Sequence, residues 1–481
     1  MLKKFLESLG LVLVLNLLVK PFWIFGIDRT VQNVVGPEEY GMYFALFNFS
    51  LILNILLDLG LTNYNNRNIS QHQFLLSKHF SNIVVLKFLL AVGYFIVTLA
   101  VAAVLDYNFT ELRILLLLAF NQFLLSFILY LRSNLAGLHL FKTDSLVSVL
   151  DRILMIAICS ILLWGNIADT PFRIEWFIYA QTIGYSLTAL IVFVLVWLNT
   201  DSFRMHFDMT FSRVILRKSL PYALLILLMA FYYRVDTVML NRMLPDGNVQ
   251  SGIYAQGFRV LDAASMFAFL FAGLLLPIFS HMIKRRERID EMVRLSVMLL
   301  LVPVILISVT SYFYRYELMN LMYHHQVEFS APVFGVLILA LIPISSSYIF
   351  GTLLTANGSL KYLNIMALSG MVVNVSLNLI LIPKYQAYGS AIASIFTQAV
   401  VALIQIVLSY KLFNLRLNVR LILKFTVFIG FVVLAATFIN DLPIMWAFQA
   451  VVLLVVGIIF SLSIRLFTVK GLIRILKYKK E

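Results

Sequence analysis

The chain has 481 residues, of which 62% are hydrophobic and 12% charged, and its mean hydropathy is +0.94. A soluble chain would carry about 25% charged residues, so this composition excludes a large globular enzyme and implies a polytopic membrane protein. The net charge of +14 fits the same class, because lysine and arginine gather in cytoplasmic loops of membrane proteins; nucleic-acid binding is not needed to explain it.

The apolar runs match the ~20 residues of a membrane-crossing helix, not the ~10-residue alternating strands of a barrel. Fourteen helices are predicted, at 5–27, 41–63, 82–105, 112–136, 145–165, 175–198, 217–241, 251–279, 292–313, 331–355, 362–382, 388–411, 421–440 and 443–466. The start, MLKKFLESLGLVLVLNLLVKPFW, has a lysine-then-apolar order but no small-residue cleavage site, and reads as a retained first helix. With that end in the cytoplasm, the inner segments hold 27 lysines and arginines and the outer loops 6; four more, Lys20, Lys87, Arg234 and Arg259, lie within spans. This asymmetry places both termini in the cytoplasm. Trp23, Trp164, Trp176 and Trp446 fall near outer helix ends and Trp197 near an inner one, as an aromatic belt would.

The basic stretch after the sixth helix divides the chain. An N-lobe is expected over 1–198, a cytoplasmic linker over 199–216, a C-lobe over 217–411, and two extra helices with a basic tail over 412–481. A weak internal repeat agrees. VVGPEEYGMYFALFNFSLILN, from Val34, aligns with MLPDGNVQSGIYAQGFRVLDAA, from Met243, so that Gly41-x-Tyr43 matches Gly252-x-Tyr254. Six helices per lobe is even, which predicts a parallel repeat about an axis along the membrane normal.

Charges inside spans are costly and usually face a bundle interior or a wet cavity. Arg234 and Asp236 lie in one such helix, Arg259 and Asp262 in the next. Arg259 and Asp262 are three apart on one face, and either neutralise each other or serve a cavity. Lys20 precedes Pro21 and is either a cavity cation or a snorkelling lysine at a kink. Asp58, Lys87 and Asp151 lie near predicted inner helix ends, as an inner gate or as ordinary ion pairs. No cofactor is implied and no phosphate-binding glycine loop is present. The pair His324-His325 lacks further ligand residues nearby, so no metal site is expected; Cys159 is the one cysteine and excludes an intrachain disulfide.

Three stretches carry a family resemblance. VVGPEEYGMY with LLDLGLTNYNNR, then YYRVDTVML with SGIYAQGFRVLD, then NLILIPKYQAYGSAIAS from Asn378, together resemble Wzx-type polysaccharide and O-antigen flippases of the multidrug/oligosaccharidyl-lipid/polysaccharide (MOP) exporter superfamily. The resemblance implies an all-α fold of two six-helix lobes around a central cavity, with two further helices. It also implies a transporter of the bacterial inner membrane, not an enzyme. The implied substrate is a polyprenyl-diphosphate-linked oligosaccharide for surface polysaccharide or lipopolysaccharide. Membrane lipids, a polymerase and glycosyltransferases are the implied partners. On this reading Arg234, Arg259 and Lys20, each about 10 Å below the outer surface by helix rise, are the diphosphate contacts. Asp262, Asp236 and Asp58 are candidate cavity carboxylates or H+ or Na+ coupling sites, and Lys87 with Asp151 a candidate inner gate. A lipid II flippase and a cation-coupled multidrug exporter are the alternatives. A membrane-embedded polymerase or ligase fits poorly, because the longest outer loop, 314–330, holds no convincing acid–base pair.

Overall fold

The computed structural model describes residues 18–62, 75–165, 171–200 and 208–466, with Leu15, Asn65, Asn66 and Ile69 besides. The start of the first expected helix, part of the 199–216 linker and the basic tail lie outside them. Among the described residues all regular structure is helical. Eleven stretches there are long and apolar enough to cross a membrane. One of the eleven, of 54 residues, contains both the 362–382 and the 388–411 spans. The first two expected spans lie partly outside the described residues, and the structure draws their boundaries differently.

The chain divides into two compact units, Met1–Gly252 and Ile253–Glu481. In the first, a π-helical segment Phe22–Asp28 leads into α1 (Arg29–Ile52), followed by α2 (Leu75–Val104), α3 (Phe109–Gly137), α4 (Phe141–Trp164), α5 (Ile174–Trp197) and α6 (Met209–Met243); α7 (Gly247–Lys284) starts here. The first helix does not stop near Ile27 as predicted. It continues through polar residues to Val35, because Asp28 is buried and accepts hydrogen bonds from Tyr40 at 2.9 Å and Gln32 at 3.1 Å. The break comes at Gly36, whose φ of 79° suits glycine, ahead of Pro37. α1 ends at Ile52, well short of the predicted 63. A 3₁₀ turn, Asn54–Leu57, follows, then Leu59 and Gly60 at positive φ.

The start of α7 lies against α1 with no room for a side chain. A β-carbon on Gly41 would overlap the backbone oxygen of Asn248, and one on Gly252 the backbone oxygen of Pro37. The contacts are reciprocal: Pro37 precedes Gly41 by one helical turn, as Asn248 precedes Gly252. The two glycines equated by the internal repeat therefore face each other.

The second unit holds α8 (Asp290–Phe313), the short α9 (Arg315–Met322), α10 (Val327–Leu339), α11 (Leu341–Ala356), α12 (Leu360–Phe413), α13 (Val419–Asn440) and α14 (Trp446–Ser463). α9 occupies part of what was read as the 314–330 loop. α12 doubles back at Gln386, where φ is 51°, three residues after Pro383. Ser390 donates to Asn378 across this bend at 2.8 Å, Asn378 donates to Asn374 at 3.1 Å, and Gly389 lies against the Leu381 backbone. The Asn378–Ser394 motif is thus a helical-hairpin staple. α13 and α14 dock on α8 through a core of Leu306, Val309, Phe428, Val432 and Leu453. Gly457 makes space there for the Leu306 side chain.

Candidate functional site

The predicted site residues fall into separate groups. Arg234, on α6, is half-buried; its Nη1 donates to Asn48 Oδ1 of α1 at 3.2 Å, and its guanidinium lies 5.1 Å from the Tyr233 ring centre. Asn48 is buried and also donates to Thr237 at 3.1 Å. Asp236 is buried two residues away, on a different helix face. Arg259 and Asp262 are half-buried on α7 in the second unit.

Lys20 joins a group that the sequence reading did not assemble. It is within electrostatic reach of Arg152, Asp151 and Arg132. Arg152 stands at the middle of α4, its Nε 3.8 Å from Asp151 and its guanidinium 5.4 Å from the Trp23 ring and 5.8 Å from the Tyr185 ring. Trp23 stacks on Phe177 at 5.5 Å, which fixes this wall. Arginine over aromatic faces keeps its charge while losing part of its water. Arg152 had been counted among the inner-segment cations. Its position after SLVSVL, four apolar residues in six, then Asp151, was the available signal, and the later predicted start of this helix hid it.

Each predicted cation is placed along its own helix. Arg234 lies roughly 14 Å from the Met243 end of α6, Arg259 roughly 18 Å from the Gly247 end of α7, and Lys20 roughly 24 Å from the Gly36 break.

The carboxylate Asp58 and Lys87 pair with each other. Lys87 is buried, and its ammonium donates to Asp58 Oδ1 at 2.5 Å, the Leu57 carbonyl at 3.1 Å and Ser126 Oγ at 3.0 Å. All three of its donors are used, and one of them holds the Leu57 carbonyl at the end of the 3₁₀ turn that follows α1. Asp151 instead lies beside Arg152, and among the described residues no ion pair joins Lys87 to Asp151.

A further polar cluster went unnoticed in the sequence. Arg242, at the end of α6, ion-pairs with Glu111 at the start of α3. Glu111 also forms a capping box with Asn108, with both bonds at 2.9 Å. The Arg242 guanidinium lies 4.1 Å from the Tyr107 ring centre and donates to Asn241 at 2.8 Å; Asn241 reaches Asn248 at 2.6 Å. Burial raises the Tyr107 phenol above its ordinary value, an effect Arg242 opposes, so the ring is a neutral platform for the cation. A double-mutant cycle of Glu111→Gln and Arg242→Gln, read by thermal unfolding in detergent, is expected to return a coupling of about 1.5–3 kcal/mol, the range of hydrogen bonds to charged groups. A coupling near zero would mean the pair is decorative.

Solved structures of two kinds share this arrangement of helices. The lipid II flippase MurJ, in an inward closed conformation, is 16% identical, aligns over 96% of this chain and 97% of its own, and has a TM-score of 0.66. A multidrug resistance MATE family transporter of the MOP superfamily, inward-facing, is 15% identical over 82% and 94%, with a TM-score of 0.61. The Vibrio cholerae MATE transporter VcmN is 15% identical over 86% and 97%, with a TM-score of 0.59. No curated protein matches in sequence. The fold is therefore that of the MOP superfamily. Residues 24–283 match the model of the polysaccharide biosynthesis protein family, and the chain belongs to that family.

Proposed function

We propose that this protein is a flippase that carries a polyprenyl-diphosphate-linked oligosaccharide from the inner to the outer leaflet, by alternating access, in the bacterial cytoplasmic membrane. The observation that carries the reading is membership of the polysaccharide biosynthesis family by a multi-pass protein with half-buried cations in its spans: Lys20, Arg152, Arg234 and Arg259. A diphosphate head group must leave most of its water to cross, and guanidinium groups offset that loss with charge-assisted, often bidentate hydrogen bonds. The polyprenyl tail stays in lipid throughout. The bias of lysine and arginine supports cytoplasmic termini even with Arg152 moved into its span, 26 inner against 6 outer, and the lobe boundaries of the sequence reading are kept as part of this proposal.

The test is Arg234→Ala and Arg259→Ala, assayed for surface polysaccharide with protein level monitored by blot. Each is expected to lower export about tenfold or more, the weight of one lost charged hydrogen bond. Normal export in both would remove these arginines from the site. Rescue of a strain depleted of its lipid II flippase would instead assign the protein to peptidoglycan precursors, and drug resistance tracking expression would assign it to multidrug export.

A further inference from the structure

A groove of about 920 Å³ lies in the second unit between α8, α11, α12 and α13. Its depth is apolar, walled by Leu301, Phe350, Ile406, Phe425 and Ile429. Its mouth is cationic, rimmed by Arg294, Lys411 and Arg416. Arg420, Lys424 and Arg465 line a shallower depression beside it, and Lys424 is within electrostatic reach of Arg420, Arg294 and Arg465. Two carboxylates, Asp290 and Glu291, stand against these six cations, and Asp290 already accepts the Arg416 backbone N–H at 2.9 Å.

The bias of cations toward the cytoplasm explains charge on one side of a membrane protein. It does not explain why these charges ring the mouth of an apolar slot. The chain's own tail is an unsuitable occupant, since after Val469 it adds Lys470, Arg474, Lys477, Lys479 and Lys480 against the single carboxylate side chain of Glu481. A greasy slot with a positive rim matches an amphiphile with a negative head, and basic pockets between membrane helices are the recognised physical form of such a site. From Val419 to Ile429, α13 offers roughly 15 Å of wall, about the hydrocarbon depth of one leaflet.

We propose that this groove binds a glycerophospholipid with an anionic head group, its phosphate held by Arg294, Arg416 and Arg420 and one acyl chain lying along Phe425 and Ile429. The site is separate from the transported cargo and does not depend on what that cargo is.

The experiment is native mass spectrometry of the full chain in detergent, titrated with dioleoylphosphatidylglycerol or dioleoylphosphatidylcholine. The phosphatidylglycerol adduct is expected to be favoured, by about fivefold for each cation engaged. Arg294→Gln with Arg420→Gln should remove most of that preference, whereas Lys284→Gln with Arg285→Gln, at the end of α7, should leave it intact. Ile406→Trp, which fills the slot, should weaken retention of phosphatidylglycerol without altering thermal unfolding in detergent; it carries the test alone should the charge variant not fold. Equal retention of the two lipids, equal loss in both charge variants, displacement by glycerol phosphate at the lipid's own concentration, or full retention by Ile406→Trp would each overturn the assignment.

Discussion

Gly41→Val is expected to stop polysaccharide export while leaving the protein in the membrane. A β-carbon at this position meets backbone, the Asn248 oxygen and the Gly252 nitrogen, so no side-chain rotation can relieve it. Overpacking of this kind costs about 1–3 kcal/mol or more, which is about 5- to 150-fold in the population of a two-state arrangement. We take this approach of α1 to the start of α7 to belong to one state of the proposed alternating access, so the variant would hold the transporter away from that state. Gly252→Val should behave the same way, because its β-carbon meets the Pro37 oxygen. Gly93→Val is the control, since nothing lies within 4 Å of a β-carbon there. Export by Gly41→Val at the level of the Gly93→Val protein would show that the close approach plays no part in transport.

The second large effect is on stability. Lys87→Met is expected to destabilise the protein by about 3–5 kcal/mol, the usual consequence of removing one partner of a buried ion pair. The substitution strands the Asp58 carboxylate, and it also takes from the Leu57 carbonyl, at the end of the 3₁₀ turn, the nearer of its two donors, leaving the Ser126 hydroxyl at 3.3 Å. Adding Asp58→Asn should recover part of the loss, because a neutral amide no longer needs a counter-ion, although the Leu57 carbonyl still lacks its charged donor. Thermal unfolding in detergent measures both. If Lys87→Met unfolds within about 1 kcal/mol of the parent, an amount typical of exposed pairs, the lysine is not the clamp described here.

The helical outline was largely legible because the bilayer imposes a length on apolar runs. The spans predicted at 112–136, 145–165, 175–198 and 421–440 lie within a few residues of α3, α4, α5 and α13. The errors cluster around α1. A hydropathy window reads Asp28, Arg29, Gln32 and Asn33 as a loop, yet Tyr40 and Gln32 satisfy Asp28 inside the fold and the helix runs on. Conversely, an apolar run to 63 looks like one helix, and nothing local announces that Lys87, in α2, will capture the Leu57 carbonyl. Lys20, Lys87, Arg234 and Arg259 were readable as intramembrane groups from their apolar surroundings; their partners were not. Glu111 and Arg242, or Asn48 and Arg234, are far apart in the chain, and periodicity carries no information about such pairings. Arg152 shows the same limit, since only the fold brings Trp23 and Tyr185 to its guanidinium.

The staple that joins Asn378 to Ser390 bears on how relatives of this protein can be sorted. Its residues meet one another across a hairpin bend: hydroxyl to amide, and glycine to backbone. What such a motif preserves is a bend. Two proteins carrying different sugars would need the same bend and would keep the same letters. A catalogue built on this motif would therefore group chains by ancestry and leave cargo unsorted. Under the proposed function, classification by cargo has to begin from the polar positions around Arg152, Arg234 and Arg259.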